Sequence, residues 1–228
     1  MNFNCNEIAK MIDHSLLSPT MTDEEIRQGA ELAREHNVAG VCVKPYAVKM
    51  VAEILKGSTV KPGVTIGFPH GSHPTSVKAA ESQQTIEQGA VELDMVVNIG
   101  KVLSGDWDYV RRDIEAVVTI AHVAGAIVKV IFENCYLREE HKIKLCEICG
   151  ELKVDFVKTS TGFGSSGAAV EDVKLMRTFS PPQVQVKAAG GIRSLEKLLE
   201  FQSAGATRIG ATATTVILDE CRKRFGSK

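Results

Sequence analysis

Three lysines stand inside apolar, strand-length runs: Val128-Lys129-Val130, Val157-Lys158-Thr159 and Val186-Lys187-Ala188. A buried ammonium is disfavoured by lost hydration and by each cationic neighbour, so burial and crowding both lower its pKa. An amine that gives up its proton near neutrality attacks carbonyl carbon and forms a Schiff base. One such lysine on its own would as readily point outward and snorkel between helices. Three, on three successive runs and each near the C-terminal end, point instead to one shared interior site. Lys158 and Lys187 lie on adjacent candidate strands, close enough to perturb one another. The cluster needs an anion, and Asp94 in Glu92-Leu93-Asp94-Met95-Val96 is placed to supply it. An unpaired carboxylate mid-strand would be costly. Paired with a lysine in a wet pocket it can shuttle protons, or it can serve as a structural ion pair alone.

The second feature is glycine. Thr159-Ser160-Thr161-Gly162-Phe163-Gly164-Ser165-Ser166-Gly167 follows one lysine run, Ala189-Gly190-Gly191-Ile192-Arg193 follows the next, and Gly210-Ala211-Thr212 follows the last apolar run. Glycine is the ordinary turn residue, so each turn alone says little. On consecutive strand-to-helix loops, ahead of helix N-termini, they suit a small phosphorylated ligand held by backbone N–H groups. No Gly-Lys-Ser/Thr closes either of the first two runs, and no strand–GxGxxG–helix pattern occurs, so neither a nucleotide P-loop nor a dinucleotide site is indicated.

Other chemistry-bearing residues read more plainly. His70 and His73 could give two imidazoles to a metal, but a turn without a third ligand nearby reads as a solvated loop. Asp13-His14 ends the first apolar run and either faces the pocket or caps the next turn. Trp107 and Tyr109 read as packing residues. The chain has six cysteines, whose spacing does not suggest a disulfide framework in a chain of this length. Cys42 lies in an apolar run and behaves as a small hydrophobe. Cys146 and Cys149 form a CxxC, but Ile143, Cys146 and Cys149 share one helical stripe, and no second pair follows at zinc spacing.

The elements that must carry these residues alternate from end to end. Candidate strands are 12–17, 38–44, 64–68, 91–97, 127–133, 155–160, 183–189 and 207–211. Candidate helices are 22–36, 46–56, 75–88, 108–124, 138–151, 170–179, 194–204 and 213–224. Near-continuous apolar strands fit a parallel sheet buried on both faces. Thr22-Asp23-Glu24-Glu25 is a capping box. Gln88-Gly89-Ala90, Ala124-Gly125-Ala126 and Ala204-Gly205-Ala206 place a glycine at a helix end, ready for the left-handed cap. Eight βα units of about 28 residues each, joined by right-handed crossovers, close into a (β/α)₈ TIM barrel, class α/β. A doubly wound open sheet fits the same periodicity. With no linker or low-complexity segment, residues 1–228 read as one domain.

Composition narrows the field. Of 228 residues, 44% are hydrophobic, and 27 basic against 28 acidic residues leave a net charge of −1. That balance argues against a nucleic-acid partner. No apolar run reaches the roughly 18 residues that span a bilayer, which argues against a membrane partner. The amino-terminal stretch Met1-Asn2-Phe3-Asn4-Cys5-Asn6-Glu7 lacks a basic and then apolar signal. A cytoplasmic protein is the expectation.

Several blocks of the chain resemble deoxyribose-phosphate aldolases. They are Ile12-Asp13-His14-Ser15-Leu16-Leu17, Gly67-Phe68-Pro69-His70-Gly71, Glu92 to Gly100 and Val128 to Glu133. The most specific are Phe156-Val157-Lys158-Thr159-Ser160-Thr161-Gly162-Phe163-Gly164 and Val186-Lys187-Ala188-Ala189-Gly190-Gly191-Ile192-Arg193. The resemblance runs in order from about Ile12 to Thr212 and implies a (β/α)₈ barrel. It implies Lys158 as the Schiff-base lysine and Lys187 as the lysine that lowers its pKa and assists proton transfer. Asp94 becomes the proton-relay aspartate and Lys129 a supporting lysine. Gly162, Gly190, Gly191, Arg193, Gly210 and Thr212 surround the substrate phosphate. The implied reaction is reversible cleavage of 2-deoxy-D-ribose 5-phosphate into D-glyceraldehyde 3-phosphate and acetaldehyde, without metal or organic cofactor, by a homodimer or homotetramer. Three departures stand out. Ser18 replaces a frequent lysine at a peripheral position, Ala211-Thr212-Ala213 replaces a serine-bearing turn, and the tail lacks a terminal tyrosine that some members use. Rival readings are a Schiff-base aldolase for another short sugar phosphate, a metal aldolase using His70 and His73, and a non-catalytic sugar-phosphate-binding barrel.

Overall fold

The structure, a computed structural model, describes residues 4–226. Met1, Asn2 and Phe3 of the amino-terminal stretch, and Ser227 and Lys228 of the tail, lie outside it. Eight strands form a closed parallel barrel in chain order: β1 (Ile12–Leu16), β2 (Gly40–Val43), β3 (Lys61–Ile66), β4 (Glu92–Val96), β5 (Ile127–Ile131), β6 (Phe156–Lys158), β7 (Gln185–Ala189) and β8 (Arg208–Ala211). β8 pairs back onto β1, so the open-sheet alternative falls. The helices are α1 (Cys5–Ala9), α2 (Asp23–Glu35), α3 (Val48–Ile54), α4 (Thr75–Glu87), α5 (Ile99–Leu103), α6 (Trp107–Val123), α7 (Glu139–Glu151), α8 (Val170–Phe179), α9 (Leu195–Ser203) and α10 (Thr214–Phe225). No helix among the described residues is long and apolar enough to cross a membrane.

The core lies outside the barrel wall. Residues that alternate outward along the strands, such as Val41, Val64, Leu93, Val128, Val157 and Val186, are buried against Ile26, Val51, Ile114, Leu145 and Ile217 of the surrounding helices. Each buried aliphatic side chain of this kind contributes about 1.5–3 kcal/mol. Because side chains alternate, the other set of every strand must point inward.

Local signals act where the sequence places them. Thr22 caps α2: its hydroxyl accepts the Glu25 N–H at 3.3 Å, and its own N–H donates to the Glu25 carboxylate at 2.7 Å. Gly89, Gly125 and Gly205 each take positive φ beyond a helix end. Every strand ends or starts one or more residues away from expectation, and three differences stand out. β3 starts at Lys61, three residues early, because Pro62 near a strand start costs no needed donor. The segment after β2 opens as a 3₁₀ turn, Pro45–Ala47, before α3. α1 and α5 are too short to show a helical period and were not expected.

One cysteine expectation is corrected. Cys5 on α1 and Cys221 on α10 form a disulfide, with Cα atoms 5.8 Å apart across 216 residues of sequence. Barrel closure brings the first and last helices into contact, which local spacing cannot reveal. Cys42, Cys146 and Cys149 are buried free thiols, in keeping with their packing assignment.

Candidate active site

Strand register alone gathers the charged residues. Asp94 pairs laterally with Lys129, and Lys158 with Lys187, while Glu92 and Arg208 sit at inward positions of β4 and β8. Lateral partners in a parallel pair share a face, so Lys158 and Lys187 both enter the barrel interior. Asp94 is the hub. One oxygen, Oδ2, accepts from Lys158 at 2.7 Å and from Lys187 at 2.8 Å; the other, Oδ1, accepts from Lys129 at 2.8 Å.

A lower layer carries Asp13, which the sequence leaves free to face the pocket, and Glu92 and Arg208, to which it assigns no role. Asp13 accepts from Lys187 at 2.5 Å and from Arg208 at 2.6 Å, with Lys129 at 3.3 Å. Glu92 accepts from Lys129 at 2.5 Å and from Arg208 at 3.0 Å. Of the pair Asp13-His14, then, Asp13 faces the interior. His14 turns outward to Thr214, 2.8 Å away, and burial holds its imidazole down at about 4. The period-two relation of Glu92 to Asp94 was the available signal for Glu92.

Glycines make the room. A Cβ on Gly40 would lie 3.1 Å from an Asp13 carboxylate oxygen, and one on Gly210 would lie 2.9 Å from Ala189 Cβ and 3.4 Å from Lys187 Cε. Side chains there would crowd the network that the lysines need.

The charges do not cancel evenly. Asp13, Glu92 and Asp94 supply three negative charges; Lys129, Lys187 and Arg208, each held by two or more carboxylates, match them. Lys158 is the ammonium left over, touching a carboxylate oxygen already engaged by Lys187. Its pKa is lowered, chiefly by burial and further by Lys187, against the pull of Asp94. Burial acts on Lys187 and Lys129 too, but Asp13 and Asp94, with Glu92 for Lys129, outweigh it and hold both above the usual lysine range. Asp94 resists its own burial because three lysines face it, and its pKa falls well below the carboxylate range. The buried Cys42 thiol beside the cluster is pushed up to about 11 by burial and by Asp94.

Lys158 forms part of a cleft of about 270 Å³ at the C-terminal end of the barrel. Gly162, Gly190, Gly191, Arg193, Gly210 and Thr212 all line it, as do Ser15, Thr161, Phe163 and Ser18. Lys187, Lys129 and Asp94 are not part of its wall; they lie buried in the network that Lys158 joins. The arrangement therefore joins a nucleophile-grade amine, and a carboxylate shared by three lysines, to a glycine-rich wall suited to an anion. His70 and His73 do not meet a third ligand: among the described residues no group of three or more His, Cys, Asp or Glu side chains is placed to hold a metal ion.

Comparison with known proteins bears on the same residues. A deoxyribose-phosphate aldolase of Rhodopirellula baltica is 54% identical over 225 residues, covering 99% of this chain and 93% of that protein. One from Thermococcus gammatolerans is 52% identical over 218 residues, covering 95% and 97%. The solved deoxyribose phosphate aldolase of Aeropyrum pernix, described as tetrameric, superposes with a TM-score of 0.90 at 31% identity, covering 97% of this chain and 93% of that one. Residues 7–220 match the family described as DeoC/LacD family aldolase, a span that takes in every strand of the barrel and the three lysines at its centre, and the chain belongs to that family.

Proposed function

We propose that this chain is a class I aldolase that reversibly cleaves 2-deoxy-D-ribose 5-phosphate into D-glyceraldehyde 3-phosphate and acetaldehyde. One observation carries the reading: among the described residues Lys158 is the single cation of the barrel interior without a carboxylate of its own, and it borders the cleft. A primary amine in that position adds to the aldehyde carbon of the open-chain sugar, and loss of water gives an iminium. Removal of the proton from the substrate's C3 hydroxyl breaks the C2–C3 bond, and the electron pair moves into the iminium to give an enamine. Protonation of the enamine at C2 and hydrolysis release acetaldehyde and restore the amine. Asp94 and Lys187, through an ordered water, move these protons, and Lys129 holds Asp94 from the far side. Gly162, Gly190, Gly191, Arg193, Gly210 and Thr212 receive the phosphate, so that the reacting carbon stands over Lys158.

The whole chain acts as one domain in this reading. Relatives that include a tetramer support a homo-oligomer, dimer or tetramer, and a cytoplasmic setting suits the substrate. The Cys5–Cys221 disulfide is the feature that a reducing compartment opposes. The test is borohydride reduction with substrate or acetaldehyde, followed by mass spectrometry. The adduct is expected on Lys158, and Lys158→Ala abolishes trapping and turnover together. Turnover that survives Lys158→Ala refutes the assignment.

A further inference from the structure

β5, the strand that supplies Lys129, is followed two residues later by Glu133, whose backbone suits its type poorly. Glu133 holds φ 58° and ψ 63°, a left-handed conformation that is costly for any residue with a Cβ. Its side chain is buried, 2% exposed, and pairs with no lysine or arginine among the described residues. Both carboxylate oxygens are spent on a single residue of the loop after β6. Oε1 accepts the Thr161 N–H at 3.1 Å, and Oε2 accepts the Thr161 hydroxyl. The same hydroxyl oxygen accepts the Phe163 N–H at 3.0 Å. Gly164 closes on the carboxylate from the other side, where a Cβ would come 3.1 Å from Glu133 Cδ.

Glycines at 162, 164 and 167 leave this loop without a conformational preference of its own. Something outside it must fix its shape, and Glu133 is the buried group that grips it. The segment so fixed starts three residues after Lys158 and gives Thr161, Gly162 and Phe163 to the cleft wall. The Gly162 N–H has no acceptor among the described residues. We infer that Glu133 is a positioning residue for phosphate: by holding Thr161 at two points it aims the Gly162 N–H at the anion. The inference rests on the reading that the cleft takes a phosphorylated sugar. A donor fixed in advance binds more tightly than one on a free loop, because ordering it costs nothing at the moment of binding.

Glu133→Gln tests this, since it keeps the volume but exchanges one acceptor oxygen for an amide that cannot accept from Thr161. kcat/KM for 2-deoxyribose 5-phosphate is expected to fall about tenfold or more, through KM, while unphosphorylated 2-deoxyribose changes by less than about twofold. Thr161→Val, which removes the gripped hydroxyl, follows the same pattern, and Thr161→Ser restores it. This pair keeps the test decisive if Glu133→Gln folds poorly. Parallel losses on both substrates, no loss on either, or equal behaviour of Thr161→Val and Thr161→Ser overturns the inference. Calorimetric titration with inorganic phosphate separates the two readings. A wild-type chain that forms no adduct, with phosphate affinity still weakened in Glu133→Gln, defeats the aldolase reading and supports the clamp. Unchanged phosphate affinity in Glu133→Gln overturns the clamp whatever the chemistry does.

Discussion

Replacing Lys187 by methionine tests the charge balance on which the site depends. Lys158 and Lys187 end on the same oxygen of Asp94, so their nitrogens lie no further apart than 2.7 plus 2.8 Å. At about 5 Å and an effective dielectric of about 20, two unit charges repel by about 3 kcal/mol, which corresponds to on the order of a hundredfold in a protonation equilibrium. Lys187→Met removes that repulsion and also frees Asp94 Oδ2 for Lys158 alone. Asp13, Glu92 and Asp94 would then face only Lys129 and Arg208, so the interior needs the Lys158 ammonium as its third cation. Both changes act in one direction, towards protonated Lys158. The assay is the pH dependence of acetaldehyde trapping at Lys158 with cyanoborohydride, which reports Schiff-base formation without carbon–carbon cleavage. Trapping requires the free amine, so it rises with pH up to the Lys158 pKa. In Lys187→Met the rise is expected at higher pH, with trapping down by on the order of a hundredfold on the acid limb and recovering in alkali. A midpoint that stays put, or moves to lower pH, would show that Lys187 does not set the charge state of Lys158.

Three further outcomes follow from the structure. Reduction of Cys5–Cys221, or Cys221→Ser, releases a loop of more than 200 residues in the unfolded chain and should lower stability by roughly 5–5.5 kcal/mol on the chain-entropy account; equal melting temperatures with and without reductant would refute it. Lys78 and Asp113, fully buried between α4 and α6 and 2.5 Å apart, form an ion pair whose nitrogen also donates to the Val96 carbonyl at 2.8 Å. Lys78→Met should cost about 3–5 kcal/mol in denaturant unfolding by stranding Asp113, and adding Asp113→Leu should recover most of it; no recovery would place the loss in packing instead. Gly71→Ala should destabilise strongly, since φ is +66° and a Cβ would overlap the Val97 carbonyl oxygen; a melting curve like that of the wild type would contradict this.

How much of this was legible depends on contrast. Lys129, Lys158, Lys187 and Asp94 interrupt apolar runs, so their burial and their conflict with it show in the sequence. Asp13 sits before His14 and Ser15, where it passes for a turn cap, and Glu92 and Arg208 stand at strand starts, where charges usually meet solvent. Their roles arise from register: Lys187 lies opposite Arg208, and Asp94 opposite Lys129. Register between strands 20 or more residues apart leaves no local trace. The Cys5–Cys221 pairing is hidden for a related reason, since it depends on the closure of β8 onto β1. Glu133 ends an apolar block with nothing in the sequence to mark its role, because a left-handed glutamate is invisible until the backbone is known.

The layered interior also accounts for why so many charges are tolerated in a small barrel. Ion pairs at this depth seldom stabilise a fold relative to apolar packing, because desolvation offsets their attraction. Their layering from the strand starts up to the cleft is better understood as a means of setting one proton. With Asp13 and Glu92 fixing Lys129 and Arg208 below, and Lys187 bound to both Asp13 and Asp94, every carboxylate is committed before Lys158 is reached. Loss of the Lys158 charge removes one ion pair and leaves Asp94 held by Lys129 and Lys187, whereas deprotonating Lys187 removes two pairs and deprotonating Lys129 three. Selection of the nucleophile thus follows from the pairing of its neighbours as much as from its own burial.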